Sequence, residues 1–255
     1  APTDNDRNIR NTWQFWNYNR AVRKCYSFDV IKVNPSSVIF LGSYSLSGPS
    51  MKPAVRFSAF FAVYGDGEIG VSVTGDVREN APPRPRFGLE LEMPAGNDRM
   101  VFFGMGPGSS YVDMNAYTRS GLFDMSVRDN YTNYIKPQET GNHYKTRWAL
   151  VHDGNMRGLM FKGIPEFEFS ALKYSQYMLD SAKYERDLTE TGRTYVHIDF
   201  KTAGIGSNSC GPGLQSKYAF DEKNFAYSFV IKPVFEENED LPREARTLPS
   251  VDGED

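Results

Sequence analysis

Apolar and polar residues alternate with a period of two through two neighbouring stretches of the chain. Every second residue is apolar from 57 to 63, and the same pattern returns from 69 to 73. The four residues between them, 64–67, read Tyr-Gly-Asp-Gly, and glycine suits a tight turn because it tolerates positive φ. The pattern therefore predicts a β-hairpin with one apolar face.

Ten further stretches alternate in the same way or form short apolar runs. They are residues 26–33, 37–44, 87–93, 101–103, 146–151, 157–161, 167–169, 195–200, 215–220 and 225–231. Helical spacing is confined to residues 11–18, which hold Trp13 and Trp16, and to an apolar stripe over residues 170–183. We therefore predict an all-β protein, a multi-stranded antiparallel sandwich with one or two short helices.

Charge and length narrow the class of protein. The chain has 255 residues, with 29 Lys and Arg against 32 Asp and Glu, and this near-balance argues against a nucleic-acid partner. No stretch approaches the roughly 20 apolar residues of a membrane span.

We expect one β-sandwich domain over residues 1–235 and an acidic, disordered tail over residues 236–255. A start at Ala1-Pro2-Thr3 without Met suggests a domain of a longer protein or a processed chain.

Two pairs of carboxylates raise the possibility of glycoside hydrolysis. Glu90 and Glu92, like Glu166 and Glu168, are spaced two residues apart in predicted strands. Such side chains lie roughly 7 Å apart, which is too far for a retaining glycosidase and at the low end for an inverting one. We interpret both pairs as the polar faces of half-exposed strands. Glu139 lies instead in a polar, aromatic loop, where we expect it to hold the shape of the loop.

Metal and nucleophile chemistry find little support in the sequence. His143, His152 and His197 lack the spacing of metal ligands, and Cys25 and Cys210 are predicted to be separate thiols. Cys210 lies in a glycine- and serine-rich loop, residues 204–213, without a neighbouring base that could activate it. This loop is still the best candidate for binding, because Gly, Ser and Asn let the backbone approach a ligand closely.

A series of motifs resembles the C-terminal domain of family 2 β-galactosidases, which also occurs as the small chain of two-subunit β-galactosidases. The opening Pro2-Thr3-Asp4-Asn5-Asp6 and the segment Pro85-Arg86-Phe87-Gly88-Leu89 are similar to motifs of that domain. The later matches, in chain order, are Gly104-Met105-Gly106-Pro107 with Tyr111 and Asp113, Tyr131 and Tyr134 with Pro137, Glu139 and Gly141, Thr146-Arg147, Tyr174-Ser175, and Asp199 with Gly204-Ile205-Gly206 and Pro212.

The resemblance implies a large antiparallel β super-sandwich of the galactose-mutarotase-like type. It also implies that the catalytic glutamates lie on a separate barrel, so this chain alone is expected to be an inactive part of a glycoside hydrolase. Its partners would be the remaining domains or the large chain, together with a β-galactoside or another carbohydrate. Any Mg²⁺ or Na⁺ would be bound in other domains, and the relatives occur in the bacterial cytoplasm and periplasm.

The last motif implies a loop that lines the aglycone side of the active site. Its residues here are Ser207, Asn208, Ser209 and Cys210. Some relatives stack a tryptophan on the sugar at the position that Cys210 occupies, so a different aglycone preference is expected.

Two other functions are compatible with the sequence. A free-standing carbohydrate-binding module would need an exposed aromatic platform, for which Tyr111, Tyr117 and Tyr131 are the candidates. An aldose epimerase would need a paired histidine and glutamate, and the nearest choice is His143 or His197 with Glu139.

Overall fold

The computed structural model describes residues 1–205, 213–235 and 240–247. Strands dominate this part of the chain. They are β1 (Val22–Val33), β2 (Ser37–Ser47), β3 (Val55–Tyr64), β4 (Ile69–Val77), β5 (Arg86–Met93), β6 (Arg99–Gly106), β7 (Arg119–Ser126), β8 (His143–His152), β9 (Gly158–Leu172), β10 (Thr194–Thr202) and β11 (Asn224–Val234). The described helices are α1 (Arg10–Phe15), α2 (Gln176–Ser181) and α3 (Leu241–Glu244), with 3-10 turns at Asp4–Asn8, Tyr18–Arg20, Glu185–Asp187 and Ser216–Tyr218.

The strands form one sheet that branches at β9. The first half of β9, up to Ile164, pairs with β11, whereas the second half, from Glu168, pairs with β10. Pro165 lies between the two halves, and proline has no amide hydrogen to donate to a neighbouring strand. One wing therefore runs β11-β4-β3-β2-β1, and the other consists of β10 and β5. From the opposite edge of β9, the sheet continues through β8, β6 and β7. All the pairs are antiparallel.

The main core fills the space between the two wings. Phe87 of β5 lies 5.5 Å from the ring of Phe57 on β3 and 4.6 Å from that of Phe225 on β11. The alternation seen in the sequence explains this packing, because it turns one face of each strand toward the opposite wing. The hairpin between β3 and β4 is confirmed, and Gly67 in its turn has a φ of 89°.

A second, smaller core lies under α3. Leu241 packs there with Trp148, Leu150 and Met160. The buried Lys162 amine donates to Glu68 Oε1 at 3.0 Å and to the carbonyl of Thr247 at 2.7 Å. Residues 240–247 thus dock onto the sheet, and the disordered tail predicted over residues 236–255 stays a prediction for the rest of that range. Two contacts hold this acidic segment: Glu244 pairs with Lys232, and Leu241 packs into the second core.

The all-β class is confirmed, and the individual elements differ from prediction in four places. The predicted strand at residues 215–220 contains the 3-10 turn Ser216–Tyr218, and β7 was not predicted. Residues 157–161 and 167–169 belong to the single long strand β9, which also takes residues 170–172 from the predicted second helix. The described residues contain three short helices rather than one or two. Among these residues, every helix is too short or too polar to span a bilayer.

Candidate functional site

The loop predicted to line a substrate lies directly after β10. Its candidate residues Ser207, Asn208, Ser209 and Cys210 fall outside the described residues. The structure describes both sides of this loop, up to Ile205 and from Gly213. These flanking residues form the base of the loop.

Three hydrogen bonds hold the base of the loop, and two of them come from distant parts of the chain. Asp113 Oδ1 accepts from the amide of Ile205 at 2.9 Å, and Asn5 Nδ2 donates to the carbonyl of Ile205 at 2.5 Å. The Gly204 amide donates to the carbonyl of Tyr218 at 3.0 Å. A side chain at Gly204 would place its Cβ 2.6 Å from the Asp113 carboxyl carbon, so only glycine permits this close approach.

The N-terminal segment is held in shape by internal hydrogen bonds and is tied to the same region by a further one. Thr3 donates to the buried Asp6 carboxylate through both its amide, at 2.6 Å, and its hydroxyl, at 3.0 Å. Burial raises the pKa of Asp6. The amide of Asp4 donates to Gln138 Oε1 at 2.8 Å, which ties the segment to the loop that carries Glu139.

A buried ionic cluster lies beside the base of the loop. Arg86 Nε donates to Asp199 Oδ2 at 3.0 Å, and Arg86 Nη1 lies 3.3 Å from Glu139 Oε2. Tyr111, fully buried, donates its hydroxyl to Glu139 Oε1 at 3.4 Å. Burial is the largest single effect and alone would raise the pKa of Glu139, but the surrounding positive charges, with the Arg86 guanidinium the strongest, together lower that pKa below its ordinary value. Burial and the Glu139 charge raise the pKa of Tyr111, so its phenol stays a donor.

A cavity of about 440 Å³ adjoins this cluster. Its wall includes Arg86, Tyr111 and Glu139 at one part and Gly204 and Ile205 at another. The ionic cluster and the base of the loop therefore face one continuous space. The expectation that Glu139 holds the shape of its loop agrees with these contacts, although its partners are the Arg86 and Tyr111 side chains and the amino group of Ala1 rather than backbone amides.

The two predicted carboxylate pairs do not form a glycosidase site. Glu90 Oε2 lies 3.0 Å from His197 Nε2, and the exposed Glu92 pairs with Arg193. Glu168 is buried and accepts from Asn142 Nδ2 at 2.7 Å and from the amide of Thr202 at 3.1 Å, whereas Glu166 is exposed. Burial raises the pKa of Glu168 to about 7. Neither pair can flank a sugar, because each pair is divided between separate partners or separate environments.

The histidines have other partners than the epimerase alternative requires. His143 is fully buried, with Asn130 Oδ1 2.9 Å from its Nε2 and the Met105 carbonyl 3.2 Å from its Nδ1. Burial lowers the pKa of His143 to about 4. His197 pairs with Glu90 rather than with Glu139. Within residues 1–205, 213–235 and 240–247, no cluster of His, Cys, Asp and Glu could hold a metal ion.

The three tyrosines considered for a sugar-binding platform do not form one exposed aromatic surface. Tyr111 is completely buried, and Tyr131 is half-buried with its ring 5.1 Å from that of Tyr174. Tyr117 is exposed, but its hydroxyl donates to the carbonyl of Ser109. The carbohydrate-binding alternative therefore loses two of its three aromatic side chains.

Comparison with known proteins places these features in a family. Residues 1–231 match the family model described as β-galactosidase small chain. The chain is 31% identical over 232 residues to a β-galactosidase of Staphylococcus xylosus and 31% identical over 231 residues to one of Actinobacillus pleuropneumoniae. Each match covers 91% of this chain but only 23% and 22% of the relative. The chain thus spans less than a quarter of the length of these relatives.

Similarity to solved structures is low. A galactose mutarotase related enzyme from Lactobacillus acidophilus aligns with 84% of this chain and 73% of its own, at 12% identity and a TM-score of 0.29. An amine oxidase from Aspergillus nidulans aligns with 88% of this chain and 39% of its own, at 11% identity and a TM-score of 0.31. Neither similarity is high enough to support a functional argument.

Proposed function

Because the chain belongs to the β-galactosidase small-chain family, we propose that it is the non-catalytic C-terminal domain or small subunit of a family 2 β-galactosidase. In this role it packs beside the catalytic part and contributes the loop residues Ser207, Asn208, Ser209 and Cys210 to the aglycone side of the active site. Family membership and the geometry of the base of the loop support this role.

One observation carries the role of the loop. Asn5, Asp113, Glu139 and the pair Asp199 and Ile205 come from four separate segments of the sequence, yet they meet at one end of the sheet. Two of them bind the base of the loop directly, and two more form the buried ionic cluster beside it. So many buried polar contacts around one loop are typical of a scaffold that positions a functional segment.

The non-catalytic part of the proposal follows from the carboxylates. Hydrolysis of a glycoside needs two carboxyl groups on either side of the scissile bond. In the described residues, Glu90, Glu92 and Glu168 are each committed to a protein partner, and Glu166 stands alone at the surface. We therefore assign the catalytic carboxylates, and any Mg²⁺ or Na⁺, to the remaining part of the polypeptide.

A complementation assay tests this function. The chain and the remainder of the β-galactosidase polypeptide are expressed separately and together, and hydrolysis of a chromogenic β-galactoside is measured. We expect activity only when both parts are present. As a control, Glu90→Gln and Glu166→Gln in the complete polypeptide should leave kcat unchanged. Hydrolysis by this chain alone, or full activity of the remainder without it, would contradict the proposal.

A further inference from the structure

The strand β1 lies at an open edge of the sheet. It is 12 residues long, and all of its residues are exposed. It pairs with β2 on one side, and no described residue pairs with its other side. At roughly 3.3 Å per residue, this edge presents about 40 Å of unpaired backbone donors and acceptors.

Apolar side chains line this edge on the face that elsewhere forms the core. In the register of β1, β2 and β3, Val30 lies opposite Phe40 and Phe61, and Val33 lies opposite Val38 and Val63. Phe28 stacks on Phe40 with ring centres 5.4 Å apart. We call Phe28, Val30, Val33 and Val63 the apolar edge.

The apolar edge is an uncovered continuation of the main core. Its four side chains are 52%, 55%, 71% and 37% exposed, respectively. The next strand on the same face, β4, carries the buried Val71 and Val73. Proteins normally protect a long, apolar edge strand, because an open edge would pair with other chains. A covering segment outside the described residues is therefore expected.

The charges on β1 argue against a second copy of this chain as that cover. The strand carries Arg23, Lys24 and Lys32 but only one acidic residue, Asp29. An antiparallel pairing of two β1 strands centred on Phe28 would set Lys24 opposite Lys32, and like charges in directly opposite positions are destabilising. A covering strand with acidic residues near its ends fits these charges better.

From these observations we infer that an extended segment of the remaining β-galactosidase polypeptide adds to β1 as a further strand. Its alternate apolar side chains cover the apolar edge, and its acidic residues meet Arg23, Lys24 and Lys32. This inference rests on the proposed function, since more than three quarters of each of the two relatives described above lies outside the match. It goes further by naming the surface that joins the two parts.

Hydrogen exchange in the complete β-galactosidase polypeptide tests the inference. The outer amides of residues 22–33 should exchange about a hundredfold more slowly than those of an open edge strand, because strand addition hydrogen-bonds them. Val30→Glu should raise the exchange of these amides about tenfold or more by placing a charge under the covering strand. Val33→Glu provides a second variant at a more exposed position. Phe60→Glu is the matched control, since Phe60 is 41% exposed and lies on the opposite face of the same wing.

Distinct outcomes separate this inference from the proposed function. Rapid exchange throughout residues 22–33 in the complete polypeptide, or equal effects of Val30→Glu and Phe60→Glu, would overturn the inference while leaving the complementation result intact. Protection that disappears on dilution would also overturn it, by showing that a second copy covers β1. Activity of the remainder without this chain would instead refute the proposed function.

Discussion

Arg86 is the residue on which the buried ionic cluster depends. Its guanidinium contacts both Asp199 and Glu139, and both carboxylates are almost completely buried. A buried charge that loses its partner costs several kcal/mol, even though an intact buried pair contributes little net stability. The cluster therefore makes the fold sensitive to this one side chain, and it also fixes the loop that carries Glu139.

Replacing Arg86 with leucine should destabilise the protein strongly. The change leaves Glu139 and Asp199 buried without their common cation, and we expect the free energy of unfolding to fall by about 3–5 kcal/mol. Arg193→Ala is the control, because Arg193 pairs with the exposed Glu92 and should cost less than about 1 kcal/mol. Urea unfolding of the two variants beside the parent protein measures both values. Equal losses would show that the cluster does not stabilise the fold.

At the scale of elements, the sequence predicts best those strands that bury one face in the core. The hairpin of β3 and β4 follows from strict alternation and a glycine turn. The strand β7 was missed because its sequence, Arg-Ser-Gly-Leu-Phe-Asp-Met-Ser, is polar and interrupted by Gly121, and its pairing with β6 is a tertiary contact. Residues 215–220 contain aromatic residues typical of strands, yet Phe220 is buried at the end of a 3-10 turn.

If α3 docks onto the second core, replacing its buried leucine should destabilise the protein. Leu241→Ala removes apolar contacts with the second core and should lower the free energy of unfolding by about 2 kcal/mol. Ile135→Ala is the control, because Ile135 is 93% exposed and should change stability by less than about 0.5 kcal/mol. Chemical denaturation of both variants measures these changes in the free energy of unfolding and shows whether α3 stabilises the protein. An unchanged midpoint for Leu241→Ala would contradict the docking.

At the scale of the whole molecule, two wings of a branched sheet enclose a core and gather distant motifs at one end. The individual motif residues could be recognised in the sequence, but their meeting could not be predicted from their spacing. Asn5 and Ile205 are joined by a side-chain hydrogen bond across 200 positions, and Arg86 meets Asp199 across 113. Likewise, the resemblance implied a role for Ser207, Asn208, Ser209 and Cys210, and that role stays a prediction.

We propose that the scaffold holds a substrate-lining loop for a catalytic site elsewhere in the polypeptide. The most direct test is kcat/KM of the complete β-galactosidase carrying Asp113→Ala, measured for galactosides with sugar and with small aromatic aglycones. Loss of the contact with Ile205 frees the base of the loop, so kcat/KM should change by about fivefold or more for sugar aglycones relative to aromatic ones, which corresponds to about 1 kcal/mol. Asp124→Asn, on strand β7, is the control and should leave kcat/KM unchanged for both classes of aglycone. An equal change for every aglycone, accompanied by a lower Tm, would contradict the claim and leave the loop a purely structural feature.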